Sequence, residues 1–452
     1  MRVYIDSYGC SANHSNAEIM AGLLAEAGFC IADEPYSADV IVVNTCTVKT
    51  PTERKILRRL RELSGRNLVV TGCMADAQRQ TIAKTVPQAT ILPSGNTQGI
   101  VGAVRSQIAG YTFEGKFSRG QDSCLTEDSA AGSRPELKVD LPKLRRNPVI
   151  NIVQINEGCL SNCTYCITKQ AKGNLRSYPA NAILADVRKG IEDGCKEVWL
   201  TSQDTGAYGL DIGTNLAALL RKVCALHGDF RVRAGMTNPQ HISPFLPELV
   251  LAYRHPKMFR FLHMPVQAGS DKVLKDMGRG YTVQTFLRII EAFRLSVPDV
   301  TISTDFICGF PTETEEDFEQ SLDLVKAARF GIVNVSRFWA RPRTSAATLP
   351  RFHGQVTKER STRLVRLWQG LAQQDNTLLV GSSQRILLDE QGKGGVIGRT
   401  DTYKQVFFRC LMPLGSWIDA RIEKATAFDL RGVIDGAAEG APSQRVSLPV
   451  LT

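Results

Sequence analysis

No apolar stretch in this 452-residue chain is long enough to span a bilayer: the longest, Ile19 to Ala32, is broken by Glu26. A charged head before an apolar signal segment is also missing, because residues 1–7 carry Asp6 and read as a strand. A cytoplasmic protein with no membrane association is therefore expected. Twelve cysteines are too thinly spread for a secreted disulfide scaffold, so their spacing is read first as metal or redox chemistry. Acidic residues fall short of basic ones, 45 against 55, and the resulting net charge of +10 favours a polyanionic partner. Tandem repeats are lacking too. What remains, 43% hydrophobic and 22% charged, is a soluble globular composition that excludes collagen-like or wholly disordered chains. The length predicts two or three domains.

Three strand-like runs open the chain: Val3-Tyr4-Ile5, Val40-Ile41-Val42-Val43 and Leu68-Val69-Val70. Helical faces, Ile19/Leu23/Leu24 and Ile56/Leu60/Leu63, separate them, which predicts a small parallel α/β domain over 1–110. Residues 111–147 lack apolar periodicity and read as a linker or surface excursion, disordered between Ser118 and Arg134 and basic at Lys143-Leu144-Arg145-Arg146. Six further apolar runs, at 149–153, 198–201, 232–236, 261–266, 300–307 and 332–338, alternate with helical patterns. They fit a partial (β/α)6 barrel over 148–375. Short strand patterns within 376–441 suggest a small β-barrel, followed by a tail at 442–452.

The densest chemical signal is Cys159-Leu160-Ser161-Asn162-Cys163-Thr164-Tyr165-Cys166, a C-x3-C-x2-C loop just past the first barrel strand. Three thiolates on one loop can hold three corners of a 4Fe-4S cluster and leave one iron open. A structural zinc site would want four ligands, commonly from paired C-x2-C units. Cys10, Cys46 and Cys73 are far apart in sequence, yet each lies just beyond one of the three opening strands. The carboxyl ends of a parallel sheet share one edge, so these thiols can meet as a second trio or remain packed free cysteines. Cys30, Cys124, Cys195, Cys224, Cys308 and Cys410 fit no such pattern.

The C-x3-C-x2-C loop resembles that of the radical S-adenosylmethionine (SAM) enzymes. Tyr8-Gly9-Cys10-Ser11, Asn44-Thr45-Cys46-Thr47-Val48 and Thr71-Gly72-Cys73 resemble the three amino-terminal motifs of the methylthiotransferases within that group. So do His263-Met264-Pro265-Val266-Gln267, Met277-Gly278-Arg279-Gly280-Tyr281-Thr282, Thr304-Asp305-Phe306-Ile307-Cys308-Gly309-Phe310-Pro311 and Arg341-Pro342-x-Thr344-x-Ala346. Arg343 stands where that last element usually has glycine. Gly398-Arg399-Thr400 and Tyr403 look like part of a TRAM domain, a small RNA-binding barrel. The resemblance covers about residues 1–441.

It implies two 4Fe-4S clusters, one on Cys159, Cys163 and Cys166 and an auxiliary one on Cys10, Cys46 and Cys73. It implies two SAM molecules, one giving its methyl to a sulfur on the auxiliary cluster and one yielding the radical that activates the substrate carbon. Tyr165 fills the slot that packs the adenine. Gln203, Asp204, Arg233, Gln267 and Asp305 fall at strand ends on the functional face of the barrel and are expected to contact SAM or substrate.

Strings such as Ser7-Tyr8-Gly9-Cys10-Ser11-Ala12-Asn13, Cys46-Thr47-Val48-Lys49-Thr50-Pro51 and Leu141-Pro142-Lys143-Leu144-Arg145-Arg146 resemble the archaeal and eukaryotic enzymes acting on N6-threonylcarbamoyladenosine at position 37 of tRNA. The partner implied is the anticodon loop, whose bases can be splayed into a pocket. An electron donor such as flavodoxin or ferredoxin is implied as well, while the sulfur donor is unassigned. Basic faces at 49–66 (Arg54, Arg58, Arg61) and 351–366 suit phosphates or are simply solvated. Alternatives are methylthiolation of N6-isopentenyladenosine or of a ribosomal-protein aspartate and, outside the family, a zinc-stabilised RNA-binding protein.

Overall fold

The structure is a computed structural model describing residues 1–110 and 137–434. The expected disordered stretch between Ser118 and Arg134, with Cys124, and the tail at 442–452 lie outside the described residues.

β1 (Arg2–Ser7), β2 (Cys30–Ile31), β3 (Val40–Thr45), β4 (Leu68–Gly72) and β5 (Thr90–Ile91) form a parallel sheet in the order β2-β1-β3-β4-β5. β3 is buried at every position because both sheet faces are covered. Ile41 and Val43 pack with Ile56 and Leu60 of the helix Thr50–Glu62, whereas Val40 and Val42 pack with Met20 and Leu24 of the helix Ser11–Glu26. Cys10, Cys46 and Cys73 follow β1, β3 and β4 along one sheet edge. Gly72, at φ +89°, lets two of these ends close up, since a Cβ there would lie 2.3 Å from the Thr45 carbonyl oxygen.

The second domain contains β6 (Ile150–Gln154), a short antiparallel pair of β7 (Asn156–Glu157) and β8 (Arg176–Ser177), then β9 (Glu197–Thr201), β10 (Arg231–Ala234), β11 (Phe261–His263), β12 (Thr301–Cys308) and β13 (Ile332–Arg337). Six of them are the expected barrel strands, arranged as parallel sheets β10-β9-β6 and β11-β12-β13. Val198, Leu200, Val232, Ala234 and Leu262 pack with residues of the surrounding helices in the largest apolar core. Alternation along the strands turns Trp199, Arg233 and Phe261 the other way, inward.

The first domain leans on the barrel's open flank. Ser15 Oγ donates to the Ile152 carbonyl at 3.2 Å, and Gln154 Nε2 donates to Asn16 Oδ1 at 2.8 Å. The described end of the expected surface excursion, residues 137–147, is packed as a strap between the two domains. Lys143 Nζ reaches Asp186 at 2.7 Å and the Ile152 carbonyl at 2.9 Å, and Arg145 pairs with Asp193 at 2.8 Å. Lys143 and Arg145 of its basic run are therefore engaged with the barrel, while Leu144 and Arg146 remain exposed.

β14 (Ser383–Gly392), β15 (Gly395–Thr400), β16 (Gln405–Phe408), β17 (Trp417–Ala425) and β18 (Leu430–Ile434) close a barrel in the order β14-β15-β16-β18-β17. The helix Gly354–Thr377 leads into it. Tyr403 of this barrel packs against Phe259 and Phe261 with ring centroids 4.8 and 4.9 Å apart, and Arg231 lies over Trp417 at 4.4 Å.

Candidate functional site

Gly158 opens the three-cysteine loop at φ +80°, and a Cβ there would collide with the Asn174 carbonyl oxygen at 1.9 Å. The loop is pinned from several elements. Gln203 Oε1 accepts from Gly158 N at 2.8 Å, Gly173 O from Cys159 N at 3.1 Å, and Met277 O from Thr164 N at 3.0 Å. Asn238 Nδ2 donates to Ser161 Oγ at 3.0 Å. Two donors face the sulfurs themselves: Thr168 N lies 3.4 Å from Cys166 Sγ, and Arg279 Nη1 lies 3.3 Å from Cys163 Sγ.

The other trio meets this loop. Cys73 packs with Ala77, Ile167 and Ala171 in one apolar cluster, and Ile167 directly follows Cys166. Ser11, next to Cys10, shares a 2.7 Å hydrogen bond with Thr201 at the end of β9. Val48 and Lys49, just past Cys46, line a cavity of about 340 Å³ together with Cys159, Cys163 and Cys166. Within each trio the sulfurs are close enough to sense one another's charge. Burial, opposed by Lys172 and reinforced by Cys10 and Cys46, pushes the Cys73 thiol up to about 12. Burial and then Asp204, with smaller contributions from Cys166 and Cys163, do the same to Cys159. A bound cationic centre inverts that tendency and holds such thiols as thiolates. Among the described residues no three Cys, His, Asp or Glu side chains converge on the point a single metal ion would occupy.

Tyr165, Gln203, Asp204, Gln267 and Asp305 line the same cavity, and Arg233 does not. Arg233 instead lies over Trp199, Phe261 and Tyr403 at 5.0, 5.4 and 5.2 Å, in a cage completed by the terminal barrel. Asp204 is buried and engaged: Oδ1 accepts from Gly206 N and Asn238 N, both at 3.0 Å, and Oδ2 meets His241 Nδ1 at 2.6 Å. Asp305 accepts from Asn334 Nδ2 at 2.8 Å and faces His263 Nε2 at 3.3 Å. Those two contacts, with Lys49 nearby, outweigh its burial and hold its carboxyl below the ordinary range. Gln267 sits at φ +76°, its backbone clipped between Asp305 O and Ile307 N, and its side-chain amide is unpaired among the described residues. A second cleft, about 520 Å³, is lined by the same three cysteines with Lys169, Lys172, Arg176 and Arg343.

Arg343 occupies the left-handed region at φ +59°, the conformation for which glycine is the usual choice, and its guanidinium donates to the Ala77 carbonyl at 2.8 Å. Its neighbour Arg341 donates to Thr47 and Thr50 at 2.9 and 3.0 Å and pairs with Glu53, locking the first domain to the barrel mouth. Arg54, Arg58 and Arg61 stand exposed opposite the buried Ile56 and Leu60, with Arg58 paired to Glu62. On the other basic face, Arg360 and Arg363 are bound to Glu313, Glu315 and Glu319, leaving Arg351, Lys358 and Arg366 exposed. The roles of Arg279 and Lys49 are not separable in the sequence from the motifs around them.

No helix among the described residues is long and apolar enough to cross a membrane. The chain matches the radical SAM superfamily over residues 153–325, the uncharacterized protein family UPF0004 over residues 2–93 and the TRAM domain over residues 378–434. It is 41% identical to a probable threonylcarbamoyladenosine tRNA methylthiotransferase of Pyrococcus horikoshii, over 96% of this chain and 99% of that one. It is 36% identical to the threonylcarbamoyladenosine tRNA methylthiotransferase of Xenopus laevis, over 95% of this chain and 76% of that one. Among solved structures it is similar in fold to the radical SAM methyltransferase TsrM of Kitasatospora setae, with a TM-score of 0.54 at 14% identity, covering 76% of this chain and 73% of that one.

Proposed function

The chain belongs to the radical SAM tRNA methylthiotransferases, and from that premise we propose that it transfers a methylthio group to C2 of N6-threonylcarbamoyladenosine at position 37 of tRNA. Two 4Fe-4S clusters would serve it, held by Cys159, Cys163 and Cys166 and by Cys10, Cys46 and Cys73. The observation that carries the reading is the packing of Cys73 behind Ile167, which follows Cys166 and lines a cavity walled by both domains, although Cys10, Cys46 and Cys73 are not themselves among its lining. A reaction that brings a radical precursor, a sulfur and a substrate carbon together needs that arrangement. When bound, the clusters and two SAM molecules would supply one-electron chemistry and the methylthio group.

The chain's own residues position these groups. Gln203 holds the start of the loop through Gly158, and Asn238 holds its middle through Ser161. Tyr165, Gln267 and Asp305 line the cavity wall and would contact SAM or substrate there, Asp305 with its carboxyl held below the ordinary range by His263 and Asn334. Arg341 keeps the two domains in register by binding Thr47, Thr50 and Glu53. An acidic electron carrier such as flavodoxin or ferredoxin would meet the second cleft at Lys169, since Lys172 and Arg176 there pair with Glu157 and Arg343 binds Ala77. Arg54 and Arg61 suit the phosphates of the anticodon arm.

The test is iron counting after anaerobic purification. Wild type should carry about eight irons, and the Cys10→Ala, Cys46→Ala, Cys73→Ala triple variant about four. Mass spectrometry of nucleosides from tRNA incubated with the loaded enzyme should show the methylthio product on threonylcarbamoyladenosine. Activity confined to isopentenyladenosine or to a peptide would refute the substrate.

A further inference from the structure

Threonylcarbamoyladenosine differs from adenosine by a group that ends in a free carboxylate, so a site that selects it must answer that charge. Resting on the proposed function, we propose that Lys49 does so and is the specificity-determining residue of the cavity.

The first domain carries Lys49 over the barrel mouth. It directly precedes the helix Thr50–Glu62, whose docking is fixed by Arg341, and its side chain lines the cavity that also contains Tyr165, Gln267 and the three loop cysteines. The other cations lining that cavity are engaged. Arg279 is bound to Cys163, Tyr281 and Pro265, and Arg341 to Thr47, Thr50 and Glu53. Arg337 donates to Ser361. Lys49 forms no ion pair or side-chain hydrogen bond among the described residues. Its field still reaches Asp305, whose carboxyl it helps to hold down. Asp305 is in turn occupied by Asn334 and His263, so it does not sequester the ammonium.

The result is an accessible cation at the rim of a cavity whose walls are otherwise rich in apolar and aromatic groups, including Ile167, Met236, Phe338 and Trp339. Those walls suit a purine, and the ammonium suits the carboxylate attached to it. An isopentenyl substituent would bring nothing for the charge to pair with and would press hydrocarbon against it. A charge-assisted contact of this kind contributes discrimination through the partner that one substrate has and the other lacks.

The experiment uses the iron-loaded, full-length protein and two preparations of one tRNA that differ only in the threonylcarbamoyl group on adenosine 37. Equilibrium binding of each is measured for wild type, Lys49→Gln and Lys49→Arg, with iron content and thermal unfolding checked for all three. Wild type should prefer the modified tRNA. Lys49→Gln should lower that preference about tenfold or more while leaving affinity for the unmodified tRNA within about twofold, and Lys49→Arg should restore most of it. Equal losses on both tRNAs would mean that Lys49 only grips a backbone phosphate and would overturn the proposal. An unchanged preference in Lys49→Gln would overturn it as well. If wild type binds both tRNAs alike and makes no methylthio product on threonylcarbamoyladenosine, the substrate reading falls first and this inference with it.

Discussion

The guanidinium of Arg279 lies 3.3 Å from the sulfur of Cys163 and is held there by Tyr281 Oη at 3.0 Å and the Pro265 carbonyl at 3.3 Å. A fixed cation beside a thiolate favours the more negative, reduced form of whatever that sulfur ligates. In the iron-loaded protein, Arg279→Met should lower the midpoint potential of the barrel cluster by about 60 mV or more, a tenfold bias in a one-electron equilibrium. Arg279→Lys should lower it less. A redox titration followed by electron paramagnetic resonance reads this directly, and an unchanged midpoint at normal iron content would show that Arg279 only packs.

Asp204 sits at the cavity wall, but its carboxylate faces into the fold and accepts from Gly206 N, Asn238 N and the His241 ring. Removing it strands three buried donors at once. Asp204→Ala should therefore cost about 3 kcal/mol or more of stability. Because Asn238 also holds Ser161, the cysteine loop should loosen and iron retention should fall. Denaturant unfolding separates this from a role in substrate binding, which would leave the unfolding midpoint in place and raise KM alone.

Beneath the barrel, Glu197 and Asp389 bring two buried carboxyls together across the joint with the terminal domain. Trp199 Nε1 donates to Glu197 Oε1 at 2.6 Å, and Arg399 binds Asp389 at 3.1 Å. Burial, reinforced by the Asp389 charge, pushes Glu197 up to about 8. The unfolded chain releases that proton by about pH 5, whereas the folded one keeps it, so the native state binds more protons between those limits. Stability from this group is present at low pH and is lost as pH rises through about 8. Thermal unfolding between pH 5.5 and 8.5 should show the melting temperature falling, and Glu197→Gln should flatten the slope by a few degrees over that range. Parallel slopes for the two proteins would exclude this pair as the source.

The cysteine motifs and six barrel strands were legible because their signals are local. Each thiol follows an apolar run within a few residues, and strand and helix periods can be counted over a short window. The missed pieces depend on docking between segments remote in sequence. Strands of two residues, such as Thr90–Ile91, leave no periodic trace. β15 and β18 carry Gly395, Gly398 and Gly432, which interrupt the apolar alternation by which a strand is recognised. The basic strap looked like a linker or surface excursion, yet Lys143 pairs with Asp186, 43 residues further along the chain. The inward position of Arg233 on β10 follows from alternation, but its aromatic cage needs Tyr403 from the terminal barrel, 170 residues later.

The departure at Arg343 makes a last test of how local geometry and docking balance. At φ +59° the residue carries the left-handed penalty of a side chain, about 1 kcal/mol, and offsets it with a hydrogen bond to Ala77 on the first domain. Arg343→Gly removes both effects, so its stability should stay within about 1 kcal/mol of wild type. Arg343→Val removes the bond and adds a branched Cβ in the same conformation, and should cost about 2 kcal/mol or more. Urea midpoints of the two variants decide the matter. If valine proved as stable as glycine, the turn would not be held in the left-handed region, and the Ala77 contact alone would account for arginine at this position.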